Sequence, residues 1–302
     1  MRRLLPMLPV LVLAACSAEP PPPAIDAAAH RAEIEAWRGE REERLRRPDG
    51  WLSLVGLHWV EPGTHTVGRD ADNAIRLAVG PARLGTLTLE GDHARFAPAE
   101  GAGIVVGGVP QAEEFTLVPD NLGEPTVVSF DAGEASFLLI RRSGRYALRV
   151  RDARANPRVG FAGIAHYAID PAWRVQARFE AHPAGRTIAI ANVTGSIDPM
   201  PNPGAVVFTV DGREHRLEAL DEGTGELFLI FADRTNGRET YGAGRFLYAP
   251  WPEQGRTVLD FNRAYNPPCA FNAHSTCPLP PPENRLDLAV TAGEKKYTGP
   301  TE

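Results

Sequence analysis

Short segments in which apolar and polar residues alternate run from residue 51 to near the carboxy terminus, separated by turns rich in Gly, Pro and Asp. They recur about every 8 to 12 residues, a spacing typical of β-sandwiches and barrels. A helical period occurs over about Ala27 to Arg47, where Ile34, Trp37 and Leu45 lie on one side. The pattern therefore predicts a mainly β fold: an amino-terminal helix, then a β-sandwich, then a second β sheet or barrel unit.

The ends of the helix and the domain boundaries are also marked. Asp26 is placed to cap the helix, and Pro48-Asp49-Gly50 ends it. Between Arg151 and Ile164 the periodicity breaks, and we place the boundary between two β units there. The predicted division is a signal peptide (1–15), a lipid-anchored Pro-rich tether (16–29), the helix (30–48), a small β-sandwich (49–151) and a second β unit with a Pro-rich motif loop (152–302).

Two details of the second unit are predicted from local chemistry. Asp211-Gly212 is typical of a two-residue hairpin turn. Leu286 to Thr291 is predicted as the last strand. No Gly-rich loop follows a strand and opens a helix, so the sequence does not favour a Rossmann or P-loop nucleotide site.

The amino terminus has the pattern of a secretory signal peptide. Arg2 and Arg3 precede a mostly apolar run, and Leu13-Ala14-Ala15-Cys16 resembles a bacterial lipobox, in which the cysteine thiol receives the lipid. The apolar run is too short for a transmembrane helix. We expect Cys16 to become the lipidated first residue of the mature chain. The alternative is an ordinary signal peptide in which this cysteine has no role.

The residues that follow predict where the mature protein is located. Ser17, rather than Asp, follows the cysteine, which favours the outer membrane under the sorting rule for bacterial lipoproteins. The run from Pro20 to Pro23 predicts an extended tether. We expect a periplasm-facing lipoprotein of the bacterial cell envelope, attached to the lipid bilayer through Cys16.

Charge narrows the range of partners. The 302 residues include 38 acidic and 32 basic side chains, a formal net charge of −6. Nucleic-acid binding requires clustered positive charge, so we do not expect a nucleic-acid partner. The expected partners are the bilayer and a small anionic ligand or an envelope component.

Two long strings of unusual composition carry a family resemblance. Residues 49–60 read DGWLSLVGLHWV, and the segment from Tyr241 to Lys295 contains GRFLYAPWP, LDFNRAYNPPC, AFNAHSTCPLPPPENRL and AGEK. In these strings the chain resembles the bacterial domain of unknown function 1684 family, over about Trp37 to Lys295. The resemblance implies a mostly β fold and frequent export as lipoproteins. It implies no established activity, so no catalytic residue is transferred.

Polar residues of this carboxy-terminal segment form the candidate binding site. Arg binds carboxylates and phosphates through paired hydrogen bonds, and polar groups that converge at a strand end often form a pocket. The other interpretation is structural, because Asp, Asn and Arg also satisfy the backbone of irregular loops. The hypothesised ligand-binding residues are Arg69, Arg245, Asp260, Asn262, Arg263 and Asn284.

Cys269 and Cys277 remain once Cys16 is lipidated. In an oxidising envelope compartment such a pair is expected to form a disulfide. Cys269, His274 and Cys277 could instead supply three zinc ligands, but their spacing matches no common zinc framework. We predict the disulfide, no metal and no cofactor.

A hydrolase acting on an envelope substrate is the alternative function. Asp260, Glu253 or Glu239 would act as general acid or base, with His58 or His274 assisting. The sequence contains no His-Glu-x-x-His or Gly-x-Ser-x-Gly motif, and His58 is predicted to be a partly buried strand residue. A ligand-binding or scaffold role, without catalysis, is the first hypothesis.

Residues 63–108 carry a second, local resemblance. The string GTHTVGRDADNAIRL, which begins at Gly63, is similar to the opening of a forkhead-associated domain. Such domains are β-sandwiches that bind phosphothreonine, and Arg69 matches their phosphate-facing arginine. Pro81 to Leu84 stands where their serine and histidine are expected. The resemblance therefore implies the sandwich without the phosphopeptide activity. The alternative is an ordinary β-hairpin with a Gly-Arg turn.

Overall fold

The computed structural model describes residues 26–301. The predicted signal peptide, Cys16 and the tether up to residue 25 lie outside the described residues. The described chain is mainly β, as the sequence predicts. Its α-helices are α1 (Ala27–Arg46) and α2 (Asn156–Val159), and several short 3-10 helices lie outside the strands. Its strands are β1 (Leu54–Val60), β2 (Gly63–Gly68), β3 (Ile75–Arg76), β4 (Gly85–Glu90), β5 (His93–Pro98), β6 (Val105–Val106), β7 (Val109–Pro110), β8 (Phe115–Leu117), β9 (Val127–Phe130), β10 (Ala135–Arg142), β11 (Arg145–Asp152), β12 (Arg174–Ala181), β13 (Thr187–Ala191), β14 (Ile197–Pro201), β15 (Gly204–Val210), β16 (Arg213–Asp221), β17 (Glu226–Phe231), β18 (Arg245–Pro250) and β19 (Arg256–Asp260).

The amino-terminal helix begins where its sequence predicts. The carboxylate of Asp26 caps it by accepting hydrogen bonds from the amides of Ala28 (2.9 Å) and Ala29 (3.1 Å). The last residues of the predicted tether are therefore helical. Ile34 and Leu45 are buried on the side that packs against the β units. None of the helices in residues 26–301 is long and apolar enough to cross a membrane.

The first β unit is a sandwich of two sheets. One sheet has the strand order β1-β11-β10-β9-β6-β7, and the other has the order β3-β2-β4-β5-β8. Phe96 of the second sheet and Phe137 of the first meet edge to face in the core, with ring centroids 5.2 Å apart. Alternating residues of both sheets fill this core, as expected for a sandwich.

Strand β11 departs from the alternation of a half-exposed strand because both of its faces are buried. Leu148 and Val150 face the sandwich core. Ala147 belongs to a separate apolar cluster on the opposite face, and Arg149 points to that face by the two-residue period. Arg149 is therefore a charged side chain in a buried position of a central strand.

The second β unit is a nearly closed, barrel-like sheet with the order β18-β17-β16-β15-β12-β19. Leu227, Leu229 and Phe231 of β17 point into its apolar interior. Phe228 and Ile230 of the same strand point outward into a second cluster. The outward face of β17 therefore supplies apolar side chains to the segments that pack outside the barrel, which include Ile190 and Cys277.

Turn chemistry decides several of the strand pairings. Asp211 (φ 50°) and Gly212 (φ 73°) form the predicted two-residue turn between β15 and β16. Such positive φ angles match the twist of paired strands, and Asp-Gly tolerates them.

Strand β14 is not predicted by its pattern, because Pro199 and Pro201 disfavour a strand. Within residues 26–301 it pairs with β13 alone, which fits the confinement of proline to edge strands.

The carboxy-terminal segment lies across the barrel without forming a regular strand, so the strand predicted at Leu286 to Thr291 is wrong. Leu286, Val290 and Ala292 fill the barrel interior. The backbone makes isolated hydrogen bonds instead of a ladder, such as Leu286 N to Ala232 O at 2.8 Å. Burial of these side chains, rather than strand pairing, fixes the segment in place.

Candidate functional site

A cavity of about 660 Å³ lies where helix α1, the sandwich, the barrel and the carboxy-terminal segment meet. This volume is in the range of small-molecule sites. Trp37 lines it from α1, Arg149 from β11, Phe228 from β17 and Thr276 from the segment after the barrel. Every major part of the described chain therefore contributes to one concave site, which we call the central cavity.

One side of the central cavity is aromatic. Phe228 and Tyr248 stack with ring centroids 4.9 Å apart, and Phe246 contacts Phe228 edge to face at 4.9 Å. Tyr265 continues the stack beside Tyr248 at 6.3 Å, and Trp37 contacts Tyr265 at 6.4 Å. We call these five side chains the aromatic wall. Burial raises the pKa of Tyr248 and of Tyr265, so both hydroxyl groups stay neutral at physiological pH.

Arg149 is the most unusual group in the central cavity. Arg149 is 5% exposed, and it takes part in none of the ion pairs found in residues 26–301. Nη2 donates a long hydrogen bond to Thr276 Oγ1 (3.4 Å), Nε has no partner in the described chain, and the guanidinium lies 5.3 Å from the centre of the Trp51 ring.

The surroundings of Arg149 disfavour its charge. Burial, assisted by the positive charge of Arg142 and partly offset by Asp120, lowers the pKa of Arg149 to about 10. The guanidinium is thus still charged at neutral pH. A buried cation without a carboxylate partner is costly, and an anion in the cavity would offset that cost.

The other arginines that line the cavity differ from Arg149. Arg142 donates two hydrogen bonds to the carboxylate of Asp120 (2.9 and 2.6 Å). Arg41 donates to Glu294 at 2.9 Å, and Arg263 is paired with Glu33. Arg44 is exposed at the rim, 3.8 Å from Glu40. Among the described residues of the lining, Arg149 is thus the buried arginine whose charge is not matched.

The disulfide predicted between Cys269 and Cys277 is present, with Cα atoms 6.2 Å apart. This pairing uses both thiols, so the alternative zinc set lacks its two thiolates. The loop that the disulfide closes carries Ser275 and Thr276 into the cavity lining. Ser275 is 3% exposed, and its hydroxyl has no partner in the described chain. The loop therefore places the hydroxyl group of Thr276 beside Arg149.

The predicted residues Asp260, Asn262 and Arg263 lie together below helix α1. Asp260 Oδ2 is 2.6 Å from His30 Nε2, and its Oδ1 accepts from the side-chain amide of Asn262 at 2.9 Å. Asn262 also bonds the backbone of Asp170 in both directions. These contacts attach α1 and the chain before β12 to the end of the barrel. Arg263 is the member of the predicted set that lines the central cavity.

Arg245 and Asn284 are fully buried away from the cavity lining. Arg245 donates to Asp233 Oδ2 (2.8 Å) and to the carbonyl of Val290 (2.9 Å), which ties the barrel to the carboxy-terminal segment. Asn284 accepts from the amide of Glu218 (2.7 Å) and donates to the carbonyl of Ile230 (2.9 Å). Both side chains satisfy the backbone of irregular segments, in line with the structural interpretation of these motif residues.

Arg69 is exposed on the sandwich, in a separate open groove of about 450 Å³ that His58 and His274 also line. His58 is half-buried in β1, as predicted. Burial and the nearby His274 lower the pKa of His58, which is therefore neutral at physiological pH. The structure does not bring Arg69 to the other predicted site residues.

The acid–base candidates of the hydrolase hypothesis are also dispersed. Glu239 accepts a hydrogen bond from the hydroxyl of Tyr167 at 3.0 Å. Glu253 is exposed in the turn between β18 and β19. Asp260 is engaged with His30 and Asn262, while His58 and His274 share the groove on the sandwich. Neither the central cavity nor this groove contains one of these carboxylates together with one of these histidines.

Sequence reasoning missed Arg149 and the aromatic wall. One signal was available for Arg149, because it interrupts the otherwise apolar run Tyr146 to Val150. A strand with one solvent-exposed face would carry a polar residue at every second position, and this run does not. No signal marked Phe228 or Tyr248 as cavity residues, because outward apolar positions of a barrel strand look like ordinary packing positions.

Comparisons with known proteins place the chain in a family. The model of the protein family of unknown function DUF1684 matches residues 159–295, which contain the carboxy-terminal strings of the resemblance; the string at 49–60 lies outside the match. Among curated proteins none matches. A solution structure of an uncharacterised protein of Haloarcula marismortui has 31% sequence identity and a TM-score of 0.38, over 45% of this chain and 77% of that one.

The FHA structure of Rv0020c has 17% identity and a TM-score of 0.21, over 33% of this chain and 92% of that one. The chain belongs to the DUF1684 family of proteins of unknown function.

Proposed function

We propose that this protein is a lipoprotein of the bacterial cell envelope that binds a small anionic ligand in its central cavity. The observation that carries the binding proposal is Arg149, a buried guanidinium without a carboxylate partner that lines a cavity of about 660 Å³. An anion bound there would supply the missing countercharge in a low-dielectric site, where charged hydrogen bonds are strong.

The envelope location rests on the sequence. Leu13-Ala14-Ala15-Cys16 resembles a lipobox, and the proline run after it would keep the domain away from the bilayer. The disulfide between Cys269 and Cys277 fits an oxidising compartment. Fractionation of cells that express the wild type and Cys16→Ala tests the location: the wild type should be in the membrane fraction, and the variant should be released from it.

Binding is tested with the full-length protein, extracted in mild detergent and titrated by calorimetry with simple carboxylates, of which 3-phenylpropionate is the reference probe. Arg149→Met should weaken binding roughly tenfold to a hundredfold, since it removes a hydrogen-bonded charge. Arg44→Met is the matched control, because it removes the same charge from the exposed rim of the same cavity. Equal effects of the two variants, or no carboxylate binding at all, would overturn the proposal.

A further inference from the structure

Arg149 is accompanied by a hydrogen-bonding side chain at its end of the central cavity. Arg149 Nη2 lies 3.4 Å from Thr276 Oγ1. Hydroxyl hydrogens rotate to suit an acceptor, so the Thr276 hydroxyl can donate to an acid oxygen beside the guanidinium. The sandwich supplies the charge, and the disulfide loop supplies a neutral donor.

The charges around the cavity favour a ligand with a single acid group. Arg41, Arg142 and Arg263 each have their own carboxylate partner within the described chain. Glu222 and Glu226 also line the cavity, and the hydroxyl of Tyr248 donates to Glu222 at 2.7 Å. A second acid group would have to approach these two glutamates without an unmatched cation, which like-charge repulsion disfavours.

The rest of the cavity fits an apolar body. A carboxylate fills a small part of about 660 Å³, and the aromatic wall borders the remainder. Aromatic rings bind apolar and ring-containing groups by offset stacking and edge-to-face contact. A bare inorganic anion would leave this wall without a partner.

We infer that the ligand is a monocarboxylic organic acid with an apolar, ring-containing body. Its carboxylate binds Arg149 and Thr276, and its body lies against the aromatic wall. This inference rests on the proposed binding function and adds the chemical class of the ligand. Two features of the cavity therefore determine specificity: one unmatched cation with an adjacent hydroxyl, and one apolar surface.

The test uses matched probes on the full-length protein in detergent: 3-phenylpropionate, its neutral amide, acetate, inorganic phosphate and the diacid phthalate. Of these probes, 3-phenylpropionate should show the highest affinity by calorimetry. The amide should bind roughly tenfold more weakly or worse, because it lacks the charge. Acetate and phosphate lack the apolar body, and phthalate carries a second acid, so each should also bind at least about tenfold more weakly.

Variants separate the two halves of the subsite. Thr276→Val should weaken the binding of 3-phenylpropionate roughly threefold to tenfold, the effect of one neutral hydrogen bond. Trp37→Ala and Tyr248→Leu should weaken it by a similar factor while leaving acetate unchanged. Both wall residues are half-buried, and thermal melting of each variant confirms that it is folded.

The outcomes distinguish this inference from the proposed function. If acetate or phosphate binds as tightly as 3-phenylpropionate, or if both wall variants bind it like the wild type, the assigned ligand class is overturned while Arg149-dependent anion binding stands. If phthalate is preferred, the single-acid assignment is overturned. If no probe binds, or if Arg149→Met binds every acid like the wild type, the proposed function fails as well.

Discussion

Replacement of Arg149 by methionine is expected to stabilise the ligand-free protein while it weakens acid binding. Methionine is unbranched and apolar, so it can fill much of the same space. Lowering the pKa of a buried arginine from its ordinary value above 12 to about 10 corresponds to about 3 kcal/mol against the charged form. This cost applies at every pH below about 10, and therefore throughout the physiological range.

Two favourable interactions of the guanidinium are absent from the methionine variant, and their absence reduces the gain. The long hydrogen bond to Thr276 contributes about 1 kcal/mol at most, and the cation–π interaction with Trp51 contributes about 1 kcal/mol. The net effect on the free energy of unfolding is a gain of about 1 kcal/mol. A stabilising loss of function is typical of a group that is retained for binding rather than for folding.

Urea unfolding, followed by fluorescence after one cycle of unfolding and refolding that removes co-purified ligand, measures this free energy. Arg245→Met is the matched control, because Arg245 is also fully buried but is paired with Asp233. It should lose about 3 to 5 kcal/mol, since it leaves a buried carboxylate unpaired. If Arg149→Met loses more than about 2 kcal/mol, Arg149 has a structural role and the argument for an unmatched cation is refuted.

The remaining predictions concern the elements that build the cavity. Reduction of the Cys269–Cys277 disulfide should lower the free energy of unfolding by about 2.5 kcal/mol, because the restriction that a short closed loop places on the entropy of the unfolded chain is lost. Calorimetry should also show weaker binding of 3-phenylpropionate to the reduced protein. Unchanged binding would show that the disulfide loop is not part of the site. Ile34→Ala should lower the free energy of unfolding by about 2 to 5 kcal/mol in urea, because Ile34 is a fully buried side chain of α1. A loss below about 1 kcal/mol would contradict the packing of α1 against the rest of the chain. The pKa of His58 is lowered in the folded state, so the stability contributed by neutral His58 should decrease as pH falls through about 6.5. Between about pH 8 and about pH 5 the melting temperature should therefore decrease less for His58→Gln than for the wild type. An equal decrease in the two proteins would contradict the lowered pKa.

The sequence alone determined the features that depend on local chemistry. Asp26 as the helix cap, the Asp211-Gly212 turn and the regular spacing of short strands each follow from the preferences of neighbouring residues. The mainly β fold and the pairing of Cys269 with Cys277 could therefore be predicted. Strand β14 and the irregular segment after Leu286 could not, because packing there overrides the local preference.

Only the tertiary structure decided which polar residues face a cavity and which satisfy the fold. Arg245 and Asn284 look like binding residues in the sequence, yet both bond buried backbone. Arg149 looks like an ordinary strand residue, yet it lines the cavity without a countercharge. The reason is physical: a countercharge or a cavity is a relation among segments distant along the chain, such as Arg149 and Thr276. No local pattern records whether such a partner is present.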